Sequence, residues 1–136
     1  MALATVLQKE SDKSVAAFVA SLQNAAAEKG FIVNNPGNMN MAGAFAGHGV
    51  TVDPGFDLHM IQICKPDKAA HSLCRNPERA VLMPKFVMAF SRNGRTQVRF
   101  LRYSREMIQA LVGDPEFAGS LEQSYQAISE MIGAAL

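Results

Sequence analysis

Apolar residues recur at helical spacing in several stretches of the chain. Over residues 11–30, Val15, Phe18, Val19, Leu22 and Ala26 fall on one stripe, which predicts an amphipathic helix. Ser11 or Asp12 is placed to cap its start, and Lys29 and Gly30 stand where a helix closes. A second helix is expected over residues 66–75 and should end near Asn76-Pro77. Pro66 suits its first turn, because the N–H that proline lacks would go unpaired there anyway. Ser104 can cap a third helix over 105–112, closed by Gly113. Asp114-Pro115 starts a fourth, with Phe117, Leu121, Tyr125, Ile128 and Ile132 along one side.

The remaining apolar runs have the length and texture of strands. "ALATVLQ" (2–8) predicts a short first strand, "FIV" (31–33) a short buried one, and "FDLHMIQIC" (56–64) a central one with apolar residues on both faces. "KFVMAFS" and "RTQVRFLRY" flank Asn93-Gly94. That dipeptide predicts a hairpin, because a type I′ turn needs positive φ at both central residues. Residues 34–55 are rich in Gly, Asn and Ala, and glycines at 43, 47 and 49 weaken any helix there. They read as a long, partly helical excursion. The order βαβ, excursion, βα, hairpin, αα predicts an α+β fold. We expect a small antiparallel or mixed sheet of about four strands packed against helices, in a single domain over residues 1–136.

Composition narrows the classes further. A chain of 136 residues can bury a core without staples. The net charge of +1 gives no global field toward nucleic acid or an acidic membrane, so neither is an expected partner. No apolar run approaches the roughly 18 residues of a membrane span. The N-terminal stretch lacks a basic segment followed by a long apolar one, so a cytoplasmic location is expected. The two cysteines are expected as reduced thiols rather than a disulfide.

Both cysteines lie in "QICKPDKAAHSLCRNPERAVLMPKF", residues 62–86. Cys64 immediately precedes the helix opened by Pro66. The positive end of the helix dipole and Lys65 favour a thiolate there, making Cys64 a candidate reactive thiol. The alternative is a buried thiol at a strand end. Asp67, His71 and Cys74 stand at i, i+4 and i+7, on one helical face, and form a weak candidate metal set that His48 or His59 could complete. The alternative is a solvated Asp–His pair, with Cys74 in the core beside Ala70 and Leu73. Met39, Met41 and His48 are residue types that ligate haem iron, or that make an adaptable apolar surface, or that merely cover the sheet. Arg92, Arg95, Arg99, Arg102 and Arg105, with Lys85, suggest a basic strip near the hairpin, for an anionic ligand or as a charged guard on an edge. Candidate ligand-binding residues are Lys65, His71, Lys85 and Arg99. The sequence has no P-loop, dinucleotide fingerprint, G-x-S-x-G elbow or H-E-x-x-H helix.

Gly30-Phe31, Cys64 with Pro66, Asn76-Pro77 and Met83-Pro84, followed by the hairpin, resemble the domain-of-unknown-function family 302 over roughly residues 12–103. That family shows Asn where Lys65 stands and a second Cys where Lys85 stands, so a two-cysteine site is not expected here. The resemblance implies a homodimer with an antiparallel sheet against helices, and an association with sulfur or redox genes. It implies no particular activity or cofactor. Three functional readings stay open: a dimeric, non-enzymatic ligand- or partner-binding protein, a thiol-dependent redox or sulfur-transfer protein using Cys64, and a haem- or metal-binding protein.

Overall fold

The computed structural model describes residues 2–136. Five strands form one antiparallel sheet: β1 (Ala4–Ser11), β2 (Ile32–Val33), β3 (Leu58–Cys64), β4 (Phe86–Arg92) and β5 (Arg95–Tyr103), in the order β1-β5-β4-β3-β2. The helices are α1 (Val15–Glu28), α2 (Met41–Ala46), α3 (Pro66–Arg75), α4 (Arg105–Leu111) and α5 (Pro115–Ala135), with a 3₁₀ segment at Pro77–Leu82. The fold is α+β. All five apolar runs read as strands form the sheet, and β2, expected at 31–33, is only two residues long with Ile32 exposed.

Strand alternation sorts the sheet into two faces. Ile61, Ile63, Val87, Ala89, Val98 and Phe100 are buried on one. They meet the apolar stripe of α1 (Val15, Phe18, Val19, Leu22, Ala26) and the long stripe of α5 (Phe117, Leu121, Tyr125, Ile128, Ile132) in one core cluster. Phe100 and Tyr125 meet edge to face at 5.8 Å between ring centroids. Burying a side chain such as Phe18 or Ile128 stabilises the fold by about 1.5–3 kcal/mol. The opposite face carries Val6, Leu58, Met60, Phe86, Met88, Phe90 and Leu101, which remain half-buried or exposed.

The first strand runs three residues further than expected, and the cap of α1 moves with it. Ser14, not Ser11 or Asp12, accepts the Ala17 N–H at 3.1 Å. Ser11 is buried in the sheet, where its hydroxyl donates to the Leu136 carbonyl. At the other end of α1 the Phe31 N–H bonds to Ala26 O and the Gly30 N–H to Ala27 O. These are the two bonds of a Schellman cap, with Gly30 at φ +78. Asn93 (φ 53) and Gly94 (φ 74) form the expected hairpin turn.

An ion pair ties α3, the 3₁₀ segment and α5 together. Arg79, 4% exposed, donates to Asp114 at 2.8 Å and to the Ser72 hydroxyl at 3.0 Å. Its guanidinium also lies over the Phe117 ring. Asp114 caps α5 through the Phe117 N–H and accepts from the Asn76 amide at 3.0 Å. The hydrogen bond from Arg79, then those from Asn76 and the Phe117 N–H, hold the Asp114 carboxyl well below the usual carboxylate range.

Two predictions follow from this frame. Replacing Asn93-Gly94 by Ala-Ala should destabilise the protein by roughly 1–3 kcal/mol, since two residues are forced to positive φ; an unchanged denaturant midpoint would refute the assignment. Asp114 has a depressed folded pKa, so its contribution is complete at neutral pH and is lost as pH falls below the ordinary carboxylate value of 3.8. Asp114→Asn should therefore lower stability at pH 7 and flatten the acid limb of a stability–pH curve. Parallel acid limbs for the two proteins would show that Asp114 does not carry it.

Candidate functional site

The sequence from Gly30 to Lys85 builds a cleft of about 280 Å³ beside the end of the sheet. Its walls come from the C-terminal end of β3, one face of α3, the turn before β4 and the first half of α5. Phe31, Ile63, Leu73, Phe117 and Leu121 supply apolar surface, and Ser72, Ser120 and Ser124 supply hydroxyls. Cys64 and three lysines, Lys65, Lys68 and Lys85, line the same space.

Each cation is placed by its element. Lys65 is the residue before α3, and its ammonium lies 5.5 Å from the centroid of the Phe31 ring. The Schellman cap presents that ring, and its Gly30 has the Lys65 stem passing alongside. Lys68 lies one turn into α3 and donates to the Ser124 hydroxyl at 2.9 Å on α5. Lys85 precedes β4, where its carbonyl accepts the Ile63 N–H at 2.9 Å. By strand parity its side chain falls on the face of Val87 and Ala89, toward the helices. Its amine donates to the Met83 carbonyl at 3.0 Å. Among the described residues, no carboxylate forms an ion pair with any of these three lysines.

Their electrostatics reflect crowding and burial. Burial, then the positive charge of Lys65, pushes Lys68 below the ordinary lysine value. Burial does the same to Lys85, where Lys68 adds to the shift and negative charge on Cys64 opposes it.

The structure distributes the residues singled out from sequence. Lys65, Lys85 and Cys64 come together in the cleft. Asp67, His71 and Cys74 share the exposed side of α3, away from it. Cys74 is exposed, which corrects the core position weighed for it: Lys68, Ala69, Ser72 and Leu73 take the inward stripe. His48 is exposed, and Met39 packs against the core. His59 Nδ1 lies 3.4 Å from Asp57. Among the described residues, no group of three or more His, Cys, Asp or Glu side chains converges as a metal site. The basic strip divides. Arg95 pairs with Glu10 and Asp12, Arg102 donates to Ser129, and Arg105 pairs with Glu122. Arg99 donates to the carbonyls of Val98 and Lys9 and stacks on Phe90, outside the cleft. Lys68 was missed from sequence. Its signal is the i, i+3, i+4, i+7 spacing of Lys65, Lys68, Ala69 and Ser72, which puts it on the Lys65 side of α3.

The architecture defines a class: a small α+β protein with an open antiparallel sheet, helices on one face and a cationic cleft at one end. Residues 7–135 match the family model described as "Domain of unknown function DUF302", and the chain belongs to that family. Its fold is similar to the crystal structure of the uncharacterized conserved protein DUF302 from Bacillus stearothermophilus. That match has a TM-score of 0.77 at 14% identity, covering 96% of this chain and 98% of the other. No curated protein matches the sequence. No helix among the described residues is long and apolar enough to cross a membrane.

Proposed function

We propose that the protein is a homodimeric binder of a small anion with an apolar body, held in the cleft. The observation that carries this reading is the three lysines without carboxylate partners around one apolar-walled space. Like charges brought close in a partly desolvated site repel, and an anion among them relieves that cost. Phe31, Ile63, Phe117 and Leu121 suit the apolar part of the ligand, and the hydroxyls of Ser72, Ser120 and Ser124 can orient its polar end. A cleft of about 280 Å³ lies at the small end of ligand sites, which points to a small metabolite rather than a peptide.

Cys64 favours a second reading, thiol-dependent redox or sulfur transfer, because it lines the cleft while Cys74 faces solvent. An anionic thiol or persulfide would reach Cys64 past the lysines. Under this reading an anion that fills the cleft protects Cys64, and not Cys74, from alkylation.

The binding reading is tested with benzoate against its neutral isostere benzamide. Benzoate should raise the melting temperature in a concentration-dependent way, as any ligand of the native state does. Benzamide should do so much less, and Lys68→Met should remove the difference. Equal shifts for the two compounds would show that charge is not recognised.

The dimer is proposed to form through the outer face of the sheet, where Val6, Met60, Phe86, Met88 and Leu101 make a half-exposed apolar patch. A stable pairing buries about 1,600 Å² in total. Light scattering at micromolar concentration should report twice the 14.7 kDa chain mass, and Leu101→Lys should halve it. A wild-type particle of 14.7 kDa would refute the pairing.

A further inference from the structure

We propose that Lys85 is a nucleophilic amine that forms an imine with the carbonyl carbon of a 2-oxo acid held in the cleft. The inference rests on the anion-binding reading and names the ligand class more narrowly.

Placement carries it. Three of the six lysines of the chain line this one cleft. They are not equivalent. Lys65 lies over an aromatic ring, and Lys68 donates to the Ser124 hydroxyl and the Ser120 carbonyl of α5, so both are held by side chains or backbone of other elements. Lys85 instead stands just before β4, on the same side as Val87 by strand parity, and its amine hydrogen-bonds only to the Met83 backbone carbonyl. A neutral amine can keep that bond, because an N–H donates to the Met83 carbonyl while the lone pair stays free. An ammonium there finds no carboxylate among the described residues, and only negative charge on Cys64 favours it. Desolvation together with a neighbouring cation is a recognised way to activate a lysine nucleophile. Both are present: burial dominates and lowers the basicity of Lys85, Lys68 adds to it, and negative charge on Cys64 opposes it.

The charged and titratable groups around Lys85 divide the work. Cys64 at the end of β3 and Lys68 on α3 act directly on its charge. Lys65 is the third cation of the cleft, and α5 presents the Ser120 and Ser124 hydroxyls there. On the other side Tyr103 and Tyr125 share a second groove, of about 220 Å³, with Lys85. A 2-oxo acid uses this set in full. Its carboxylate takes Lys65 and Lys68, its carbonyl faces Lys85, and its apolar end meets Phe117 and Leu121. The neutral amine attacks the carbonyl carbon, a C–N bond forms, and a proton passes from nitrogen to oxygen. Loss of water then gives the C=N bond. One amine and one carbonyl become one imine and one water, with no oxidant or reductant.

The test uses the full chain, pyruvate as the probe and cyanoborohydride to reduce any imine. Peptide mass spectrometry then locates the carboxyethyl group. Lys85 should carry several-fold more of it than exposed Lys9. Lys85→Met, an apolar replacement suited to the site, should lose this labelling while keeping its circular dichroism. Lys68→Met should lower labelling by pyruvate much more than labelling by propionaldehyde, which has no carboxylate and registers only the lost activation of Lys85. Even labelling across the six lysines would overturn the imine. If that happened while benzoate still stabilised the protein, the anion site would stand without the nucleophile. If benzoate also failed, both readings would fall. Pyruvate labelling unaffected by Lys68→Met would overturn the 2-oxo acid assignment.

Discussion

A buried guanidinium requires a counter-charge held against it, and much of this structure is arranged around that requirement. Arg79 sits inside the helix layer with Asp114 against it at 2.8 Å. Removing either partner leaves the other uncompensated in a site that water does not reach well, so the pair holds its surroundings in place. Those surroundings are the last turn of α3 through Ser72, the 3₁₀ segment through Asn76 and Arg79 itself, and the first turn of α5 through the Phe117 N–H. The cleft lies between these elements. The turn that ends at Met83-Pro84 then delivers Lys85 to its inward position. The pair thus fixes the walls, while Cys64 and the lysines supply the chemistry.

The fold was legible in the sequence where the determinants are local. The α1 and α5 stripes, the Ser104 and Asp114 caps, the Schellman glycine and the Asn93-Gly94 turn each depend on residues within about one turn of one another. The cap of α1 was misplaced because Ser11 belongs to a strand whose partner, β5, lies some ninety residues further on. Pairing with β5 extended β1 past the point where its own weak pattern ended. Asp114 was readable as a cap but not as the partner of Arg79, since 35 residues separate them.

The site was legible in part for the same reason. Cys64 and Lys65 stood out because they immediately precede the helix that Pro66 opens, and Lys85 because it follows Met83-Pro84 and joins the run of basic residues near the hairpin. Periodicity alone could not say which side of α3 faces inward. His71 and Cys74 looked promising by residue type, yet the stripe with Lys68, Ala69 and Ser72 turned to α5 instead. The arginines of the hairpin looked like free charge in the sequence. Folding gave Arg95 and Arg105 acidic partners and Arg99 backbone carbonyls, whereas Lys65, Lys68 and Lys85 gather in one cleft without a carboxylate among the described residues.

That contrast bears on what the cleft is for. Exposed charges cost little wherever they stand, whereas a partly buried ammonium with only a carbonyl to bond is a burden on the folded state. Methionine or leucine would fill the space of Lys85 without that burden. The same argument applies more weakly to Lys68, which at least gains the Ser124 hydroxyl. Perturbed titratable groups gathered in one cleft mark functional sites more often than structural ones. Here the structural explanation has little to offer, because Arg79 and Asp114 already join the helices and the lysines add no ion pair. Pairing through the outer sheet face, as proposed, would cover the groove that Lys85 shares with Met60, Phe86, Met88 and Leu101, whereas the cleft walls from α3 and α5 lie on the helical side of the sheet.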